Sequence, residues 1–317
     1  MSTIAAPTGI EPVSFRRYLI DFEDFSRALG GSFARYGFAV VSDHGLDQGR
    51  IDRAIADAKA FFALPEAVKL QYKLAGAAGQ RGYTPFGVET AKGAEHYDLK
   101  EFWHVGRELP PGDPLRAYMP DNIWPAEVPS FQASETWLYD ALEGLGLKVL
   151  RAIAHYLKLP DEHFAATVHN GNSVLRLLHY PPSDFDGPNI RAGAHEDINT
   201  ITLLLGAEEG GLELLDRDGR WLPINPEAGS VVVNIGDMLQ RLTNHVLPST
   251  THRVVNPTGE RARRPRYSMP FFLHFNSDFP IATLPGCVSP ERPNRYPEPI
   301  LADDYLRERL REIKLLY

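Results

Sequence analysis

Two of the 11 histidines in this 317-residue chain have neighbours that could bind a metal ion. His195 is followed two residues later by Asp197, just before a strand-like run, and His252 begins another such run. In an extended segment, residues i and i+2 point to the same side, so His195 and Asp197 can direct an imidazole nitrogen and a carboxylate oxygen at one point. Two histidines and one carboxylate, with other positions left open, are typical ligands of non-haem Fe(II), although zinc accepts the same ligands.

A candidate receptor for a carboxylate follows His252 in the chain. Arg266 and Ser268 are again two residues apart and therefore share one face of a strand. A guanidinium beside a hydroxyl can bind a carboxylate through several hydrogen bonds. Near a metal ion, this pair would hold the far end of a dicarboxylate whose near end chelates the metal. Taken alone, Arg266 would be interpreted as a surface arginine, because it follows a basic run at 261–264.

The elements of the first half of the chain are predicted to be mainly helical. Apolar residues recur at helical spacing over 22–35, 48–63 and 131–158. An apolar run at 38–41 predicts a short buried strand, and the proline-rich segment 105–130 predicts a long loop.

After Pro160 the pattern changes to short β-rich runs that are separated by turn residues. The predicted strands are 174–180, 200–205, 212–215, 231–235, 252–255 and 267–275. A final helical pattern covers 305–316. Together these elements predict an α+β fold with a mainly β core, in which a helical N-terminal half packs around a β-barrel as one cooperative unit.

The composition excludes several classes of protein. Hydrophobic residues make up 43% of the chain and charged residues 23%, as in ordinary globular proteins. The net charge of −8 argues against nucleic-acid binding, which needs a dense positive field. No apolar run approaches the roughly 20 residues of a membrane-spanning helix. The single cysteine, Cys287, and an N-terminus without secretory features predict a cytoplasmic protein.

Ten short motifs follow one another over nearly the whole chain: YGF at 36–38, DHG at 43–45, FFALP at 61–65, RGY at 81–83, LLHYPP at 177–182, AHED at 194–197, GGL at 210–212, NIGD at 234–237, STTHRV at 249–254 and RYS at 266–268. In this order they resemble the motifs of the Fe(II)- and 2-oxoglutarate-dependent oxygenases of the isopenicillin N synthase-like family. The resemblance implies a double-stranded β-helix, or jelly roll. We expect a mixed helix and strand region at 1–160, the oxygenase core at 161–290 and a C-terminal helix at 291–317.

The resemblance also implies roles for individual residues. The implied iron ligands are His195, Asp197 and His252. The residues implied to bind the distal carboxylate of 2-oxoglutarate are Arg266, Ser268 and Tyr180. Leu178 stands where many plant relatives carry asparagine, so a hydrogen bond at the chelating end of the co-substrate is either absent or supplied elsewhere.

The implied reaction couples oxidative decarboxylation of 2-oxoglutarate by O2 to hydroxylation, desaturation or cyclisation of a small molecule. Aromatic and histidine candidates for lining the substrate site are Tyr83, Phe86, Phe102, Trp103, His104, Phe272 and Phe275, and each could equally belong to the core. Basic candidates for binding an anionic substrate group are Arg81, Lys100 and Arg241, although a solvated charge is the simpler interpretation of each.

Two alternatives remain open at the level of sequence. The first is an oxidase of the same fold that uses iron and O2 without 2-oxoglutarate. The second is a metal-free barrel that binds a ligand without catalysis. We expect a monomer or homodimer that acts on a small molecule, without a nucleic-acid or membrane partner.

Overall fold

Strands from both halves of the chain contribute to one large sheet. The computed structural model describes residues 9–74, 79–88, 98–182, 191–205, 210–256 and 259–312. The helices are α1 (Arg16–Ile20), α2 (Phe22–Tyr36), α3 (Gln48–Phe62), α4 (Glu66–Lys69), α5 (Phe131–Tyr156), α6 (Ala165–Val168), α7 (Asp237–Leu242) and α8 (Ala302–Glu312). Short 3₁₀ helices occur at Leu70–Tyr72, Pro114–Tyr118, Gly259–Arg263 and Pro285–Cys287. None of the described helices combines the length and apolar character needed to cross a membrane.

The strands form two facing sheets and one small ribbon. Their bounds are β1 (Pro12–Ser14), β2 (Phe38–Ser42), β3 (Gly82–Thr84), β4 (Glu101–Gly106), β5 (Val174–Tyr180), β6 (Ala192–His195), β7 (Ile201–Leu205), β8 (Leu212–Leu215), β9 (Trp221–Pro223), β10 (Val231–Ile235), β11 (His252–Val254), β12 (Arg266–Leu273), β13 (Pro280–Ile281) and β14 (Ile300–Leu301). The large sheet has the order β1-β2-β10-β7-β12-β5-β4-β3, and the small sheet has the order β6-β11-β8-β9. This is the predicted α+β architecture with a jelly-roll core.

The large sheet is buried on both faces, which explains its nearly continuous apolar strands. In β10, Val231, Val233 and Ile235 belong to the core shared with the helices, whereas Val232 packs with residues of the small sheet. Because side chains alternate along a strand, Asn234 lies on the same inner face as Val232. One face of the large sheet therefore packs against helices, and the other faces the interior between the sheets.

The helices cover the outer face of the large sheet. The 26-residue helix α5 places Leu138, Leu142, Leu145 and Val149 in the main core, where they meet residues from α2, α3 and the sheet. At Gly146, an added Cβ would lie 2.7 Å from a side-chain carbon of Leu273, so the glycine allows close packing of α5 on the sheet.

The predicted helices and strands are confirmed in the described residues, with ends that shift by a few positions. The loop predicted at 105–130 is wrong in two places, since 105–106 belong to β4 and 114–118 form a 3₁₀ helix. Strand β4 escaped prediction because its buried polar residues interrupt the apolar pattern. Glu101, for example, accepts hydrogen bonds from Lys69 and Tyr83, which no local pattern reveals.

Other differences concern boundaries. The helix predicted at 305–316 begins earlier, at Ala302, and 313–316 lie outside the described residues. The N-terminal half is less purely helical than expected, because β1 to β4 all join the large sheet. The expected division into 1–160, 161–290 and 291–317 stays a prediction.

We expect Gly37→Ala to destabilise the protein more than Gly45→Ala. Both glycines have a positive φ, of 69° and 74°, which costs an L-residue about 1–2 kcal/mol. At Gly37 an added Cβ would also lie 2.2 Å from Oγ1 of Thr250, whereas at Gly45 nothing lies within 4 Å. The collision should add about 1–3 kcal/mol. Equal losses in the free energy of unfolding, measured with urea, would contradict this account.

Candidate metal centre

Two neighbouring strands of the small sheet bring the two histidines together. His195 ends β6, His252 begins β11, and the two residues form a direct cross-strand pair. Asp197 follows β6 by two residues, and its Oδ1 lies 3.8 Å from Nε2 of each histidine. One ligand atom from each of the three side chains falls within 4.8 Å of the others. In the part of the chain that the structure describes, they form the one group of three such residues with this geometry.

The outward-facing ring nitrogens are already engaged, which orients both imidazoles. His195 Nδ1 lies 2.7 Å from the carbonyl oxygen of Gly193, and His252 Nδ1 lies 3.0 Å from that of Thr250. A carbonyl oxygen can only accept, so each Nδ1 carries the proton and donates it. Each Nε2 is therefore the ring nitrogen directed toward the shared point, the arrangement found in histidine metal ligands.

The two oxygens of the Asp197 carboxylate, like the two nitrogens of each imidazole, have different partners. Its Oδ2 accepts hydrogen bonds from Thr202 Oγ1 at 2.5 Å and from Asn234 Nδ2 at 2.7 Å. Its Oδ1 is the atom that lies closest to the two histidines. Thr202 on β7 and Asn234 on β10 both occupy the inner face of the large sheet, so strand alternation positions them beneath Asp197. The donor set fits a divalent metal ion with an oxygen and two nitrogens.

The protonation states also suit a metal ion. Although the His195 side chain is 36% exposed where it lines a cavity, desolvation and the nearby His252 together lower its pKa to about 4. Burial alone would raise the pKa of Asp197. The charges of His252 and His195 and the hydrogen bonds from Asn234 and Thr202 outweigh burial, and the pKa is lowered. At neutral pH the site thus holds neutral imidazole at His195 and a carboxylate at Asp197.

Sequence reasoning did not assign roles to Thr202 and Asn234. Each is a lone polar residue within an apolar strand, flanked by Ile201 and Leu203 or by Val233 and Ile235. A polar residue on a strand that is buried on both faces needs a partner, and this was the available signal.

The three residues predicted to bind 2-oxoglutarate also come together on the inner face of the large sheet. Arg266 on β12 lies directly opposite Tyr180 on β5, with the guanidinium carbon 5.1 Å from the tyrosine ring centre. Ser268 is two residues further along β12, opposite Leu178. Arg266, Ser268 and Tyr180 are all buried. The geometry therefore groups a cation and two hydroxyls, whose role in binding stays a prediction.

A cavity of about 430 Å³ opens beside the candidate metal ligands and is lined by His195 and Asp197. Of the residues predicted to contact substrate, the cavity lining includes Lys100, His104 and Phe272. Further lining residues come from distant parts of the chain: Gln80, Asn172, Arg176, His274, Leu306, Arg309 and Leu310. The lining does not include Arg266, Ser268 or Tyr180, which lie further along the same inner face.

Several predicted substrate residues lie elsewhere. Tyr83 is 2% exposed in the main core, and its hydroxyl donates to Glu101. Phe102 packs with Leu178 and Tyr180, and Phe86 is 39% exposed. Other predicted residues also lie away from the cavity lining: Trp103 and Phe275 in the main core, Arg81 beside Asn172, and Arg241 against Tyr296. A direct role of any of these residues in substrate binding stays a prediction.

Two family models match the chain over the regions that carry these features. Residues 14–127 match the N-terminal region of non-haem dioxygenases in morphine synthesis, and residues 171–275 match the 2OG-Fe(II) oxygenase superfamily. A 2-oxoglutarate-Fe(II) type oxidoreductase of Emericella nidulans, hxnY, is 34% identical over 311 residues. That match covers 91% of this chain and 88% of the relative.

Solved structures give the same result. The fold matches a crystal structure of a 2OG-Fe(II) oxygenase family protein from Caulobacter crescentus with 66% identity, a TM-score of 0.90 and coverage of 96% and 99% of the two chains. A full-length protein of Neurospora crassa, solved in complex with alpha-KG, matches with 29% identity, a TM-score of 0.85 and coverage of 98% and 99%. This chain belongs to the 2-oxoglutarate- and Fe(II)-dependent oxygenase superfamily. It is an enzyme of the isopenicillin N synthase-like group and uses Fe(II), 2-oxoglutarate and O2.

We expect Thr202→Val to lower the affinity of the centre for Fe(II) by about 10- to 100-fold, because Oδ2 of Asp197 loses one of its two hydrogen bonds. Anaerobic calorimetric titration measures this affinity. Thr200→Val is a matched control, since among the described residues the buried Thr200 hydroxyl has no hydrogen-bond partner. Equal affinities of the two variants would show that the bond to Thr202 does not orient Asp197.

Proposed function

We propose that His195, Asp197 and His252 hold Fe(II) and that Arg266, Ser268 and Tyr180 hold the distal carboxylate of 2-oxoglutarate. We propose further that the enzyme hydroxylates a small molecule in the adjacent cavity. The observation that carries the proposal is the convergence of two Nε2 atoms and one Oδ1 atom, each with its other polar atom hydrogen-bonded to the protein. When bound, Fe(II) supplies the activation of O2, and 2-oxoglutarate supplies two of the electrons.

The residues of the chain bind and orient the reactants. Three ligands on one side of the metal leave positions for a chelating co-substrate and for O2. Arg266 is 3% exposed, so its attraction for a carboxylate is stronger than it would be in water. Ser268 adds a hydroxyl on the same strand face. The apolar Leu178 lies opposite Ser268 and offers no hydrogen bond to the chelating end of the co-substrate.

The names of relatives suggest compounds for a substrate search. The Neurospora crassa protein has also been solved in complex with alpha-KG and thymine, and that structure is 29% identical with a TM-score of 0.84. A relative from Petromyces alliaceus, 34% identical over 307 residues, is named proline hydroxylase buaE. Both names point to a compact ring compound, which fits a cavity of about 430 Å³. We therefore propose a compact ring compound as the substrate class.

The function is tested by measuring succinate formation in iron-loaded protein with 2-oxoglutarate, with and without air. We expect O2-dependent succinate release that rises when the correct substrate is added, and thymine and L-proline are the first compounds to test. His195→Ala should abolish both tight Fe(II) binding and succinate release while leaving the fold intact. Oxygen uptake that is indifferent to 2-oxoglutarate would instead favour an oxidase. Protein that binds no iron would favour a non-catalytic barrel.

We expect Arg266→Gln to raise the 2-oxoglutarate concentration needed for half-maximal succinate release by at least about 30-fold. The estimate follows from a cost of about 2–5 kcal/mol when one member of a buried, hydrogen-bonded charge pair is truncated. Arg263→Gln is the matched control, because it removes an equal charge from an exposed position three residues earlier. If both variants keep the wild-type requirement, another residue binds the distal carboxylate.

A further inference from the structure

A third histidine, His274, faces the cavity that the metal ligands line. It follows the last residue of β12 and lies two positions after Phe272, so both side chains reach the inner face of the large sheet. Both line the cavity together with His195 and Asp197. The residue is only 8% exposed, and it is not part of the metal-binding group found among the described residues.

The hydrogen bonds of His274 to the described residues involve its backbone and not its ring. Its backbone N–H donates to Ser173 Oγ at 3.1 Å, but neither ring nitrogen is hydrogen-bonded to any residue that the structure describes. The other cavity histidines differ. His195 Nδ1 donates to a carbonyl, and both ring nitrogens of His104 are engaged, with Gly79 and Arg176. Because the ring lines the cavity and has no protein partner among the described residues, it is available to hydrogen-bond a molecule that enters the cavity.

The charge state of the ring defines what it can bind. Burial lowers the pKa of His274 to about 4, and the carboxylate of Asp197 offsets this only in part. At neutral pH the imidazole is therefore uncharged, with one N–H donor and one lone pair. A carbonyl oxygen can accept from the donor, and a hydroxyl can bind either nitrogen.

The cavity wall around His274 combines aromatic, charged and neutral polar side chains. Phe272 contributes an aromatic ring, and the guanidinium carbon of Arg176 lies 5.3 Å from its centre and 4.3 Å from that of Phe102. Arg176 Nε donates to His104 Nε2 at 2.6 Å, which fixes the guanidinium on the inner face. A compact molecule against this wall would meet a ring face, a cation and a neutral imidazole.

We propose that His274 is a substrate-recognition residue, whose ring hydrogen-bonds a carbonyl or hydroxyl oxygen of a compact primary substrate in this cavity. The assignment rests on the proposed function, in which Arg266 and Ser268 take the co-substrate and leave the wall at Phe272 for the primary substrate. The aromatic neighbour provides contact area, and the hydrogen bond to His274 provides orientation and selectivity.

The first test observes the ring directly. Protein labelled with ¹⁵N-histidine is loaded with Zn(II) in place of Fe(II) and with 2-oxoglutarate, and the His274 ring signals are assigned from their absence in His274→Gln. Thymine, L-proline, 2-pyrrolidinone, benzoate and glycerol are then titrated. We expect at least one compound to shift the ring nitrogens of His274 more than those of His163. If none of the five moves the His274 signal, the proposal is overturned.

The second test compares variants by dissociation constant. For the compound that shifts the ring, His274→Leu should weaken binding at least tenfold, and His274→Gln, which keeps a hydrogen-bonding group, should recover part of the loss. His163→Leu is the matched control outside the cavity lining, and it should leave the dissociation constant unchanged. Unaltered binding by His274→Leu would overturn the assignment.

The two proposals fail in different ways. Absence of succinate release from iron-loaded wild-type protein, together with absence of tight Fe(II) binding, contradicts the proposed function. The role of His274 alone is contradicted if the wild-type enzyme turns over 2-oxoglutarate but none of the titrated compounds shifts the signals of the His274 ring nitrogens.

Discussion

The rest of the site depends on the hydrogen bonds that the large sheet donates to one carboxylate oxygen of Asp197, which leave the other oxygen facing the two histidines. Oδ2 accepts two hydrogen bonds from the large sheet, and Oδ1 lies 3.8 Å from an imidazole nitrogen on either side. A buried carboxylate without partners would be costly and would take up a proton. The neighbouring histidines and the hydrogen bonds from Asn234 and Thr202 together lower the pKa of Asp197 and keep it ionised. The hydrogen bonds also fix its orientation, so a negative oxygen remains available for a metal ion.

Asp197 follows a strand of the small sheet, but its hydrogen-bond donors belong to the large sheet, so both sheets are required to hold its carboxylate. The polar groups that support Asp197 lie on the inner face of β7 and β10, whose outer face is apolar and covered by helices. The helices therefore contribute to the site indirectly. By burying the outer face, they hold β7 and β10 in the register that brings Thr202 and Asn234 to the same oxygen.

The C-terminal helix α8 lines the cavity beside the candidate metal ligands and is linked to Asp197 through hydrogen bonds. Leu306, Arg309 and Leu310 of α8 line the cavity with His195 and Asp197. The hydroxyl of Tyr305 lies 3.4 Å from Oδ2 of Asp237, and the backbone N–H of Asp237 donates to the carbonyl oxygen of Asp197 at 2.7 Å. The walls of the cavity thus come from β4 and the residues before it, from the barrel and from the last helix, so residues far apart in sequence determine its shape together.

The sequence by itself predicted the metal-binding pattern, the positions of seven of the 14 strands in the described residues and the family. These features are local, since His195 and Asp197 are two residues apart and strands such as β7 and β10 are short, largely apolar runs. Only the tertiary structure decided which polar residues support Asp197, which aromatic residues lie in the core and which line the cavity. Tyr83 and Phe272 look equivalent in sequence, yet one is buried in the main core and the other faces the cavity. The reason is physical: a side chain's partner across a sheet is set by the register of strands that are distant in sequence, and no local pattern encodes that register.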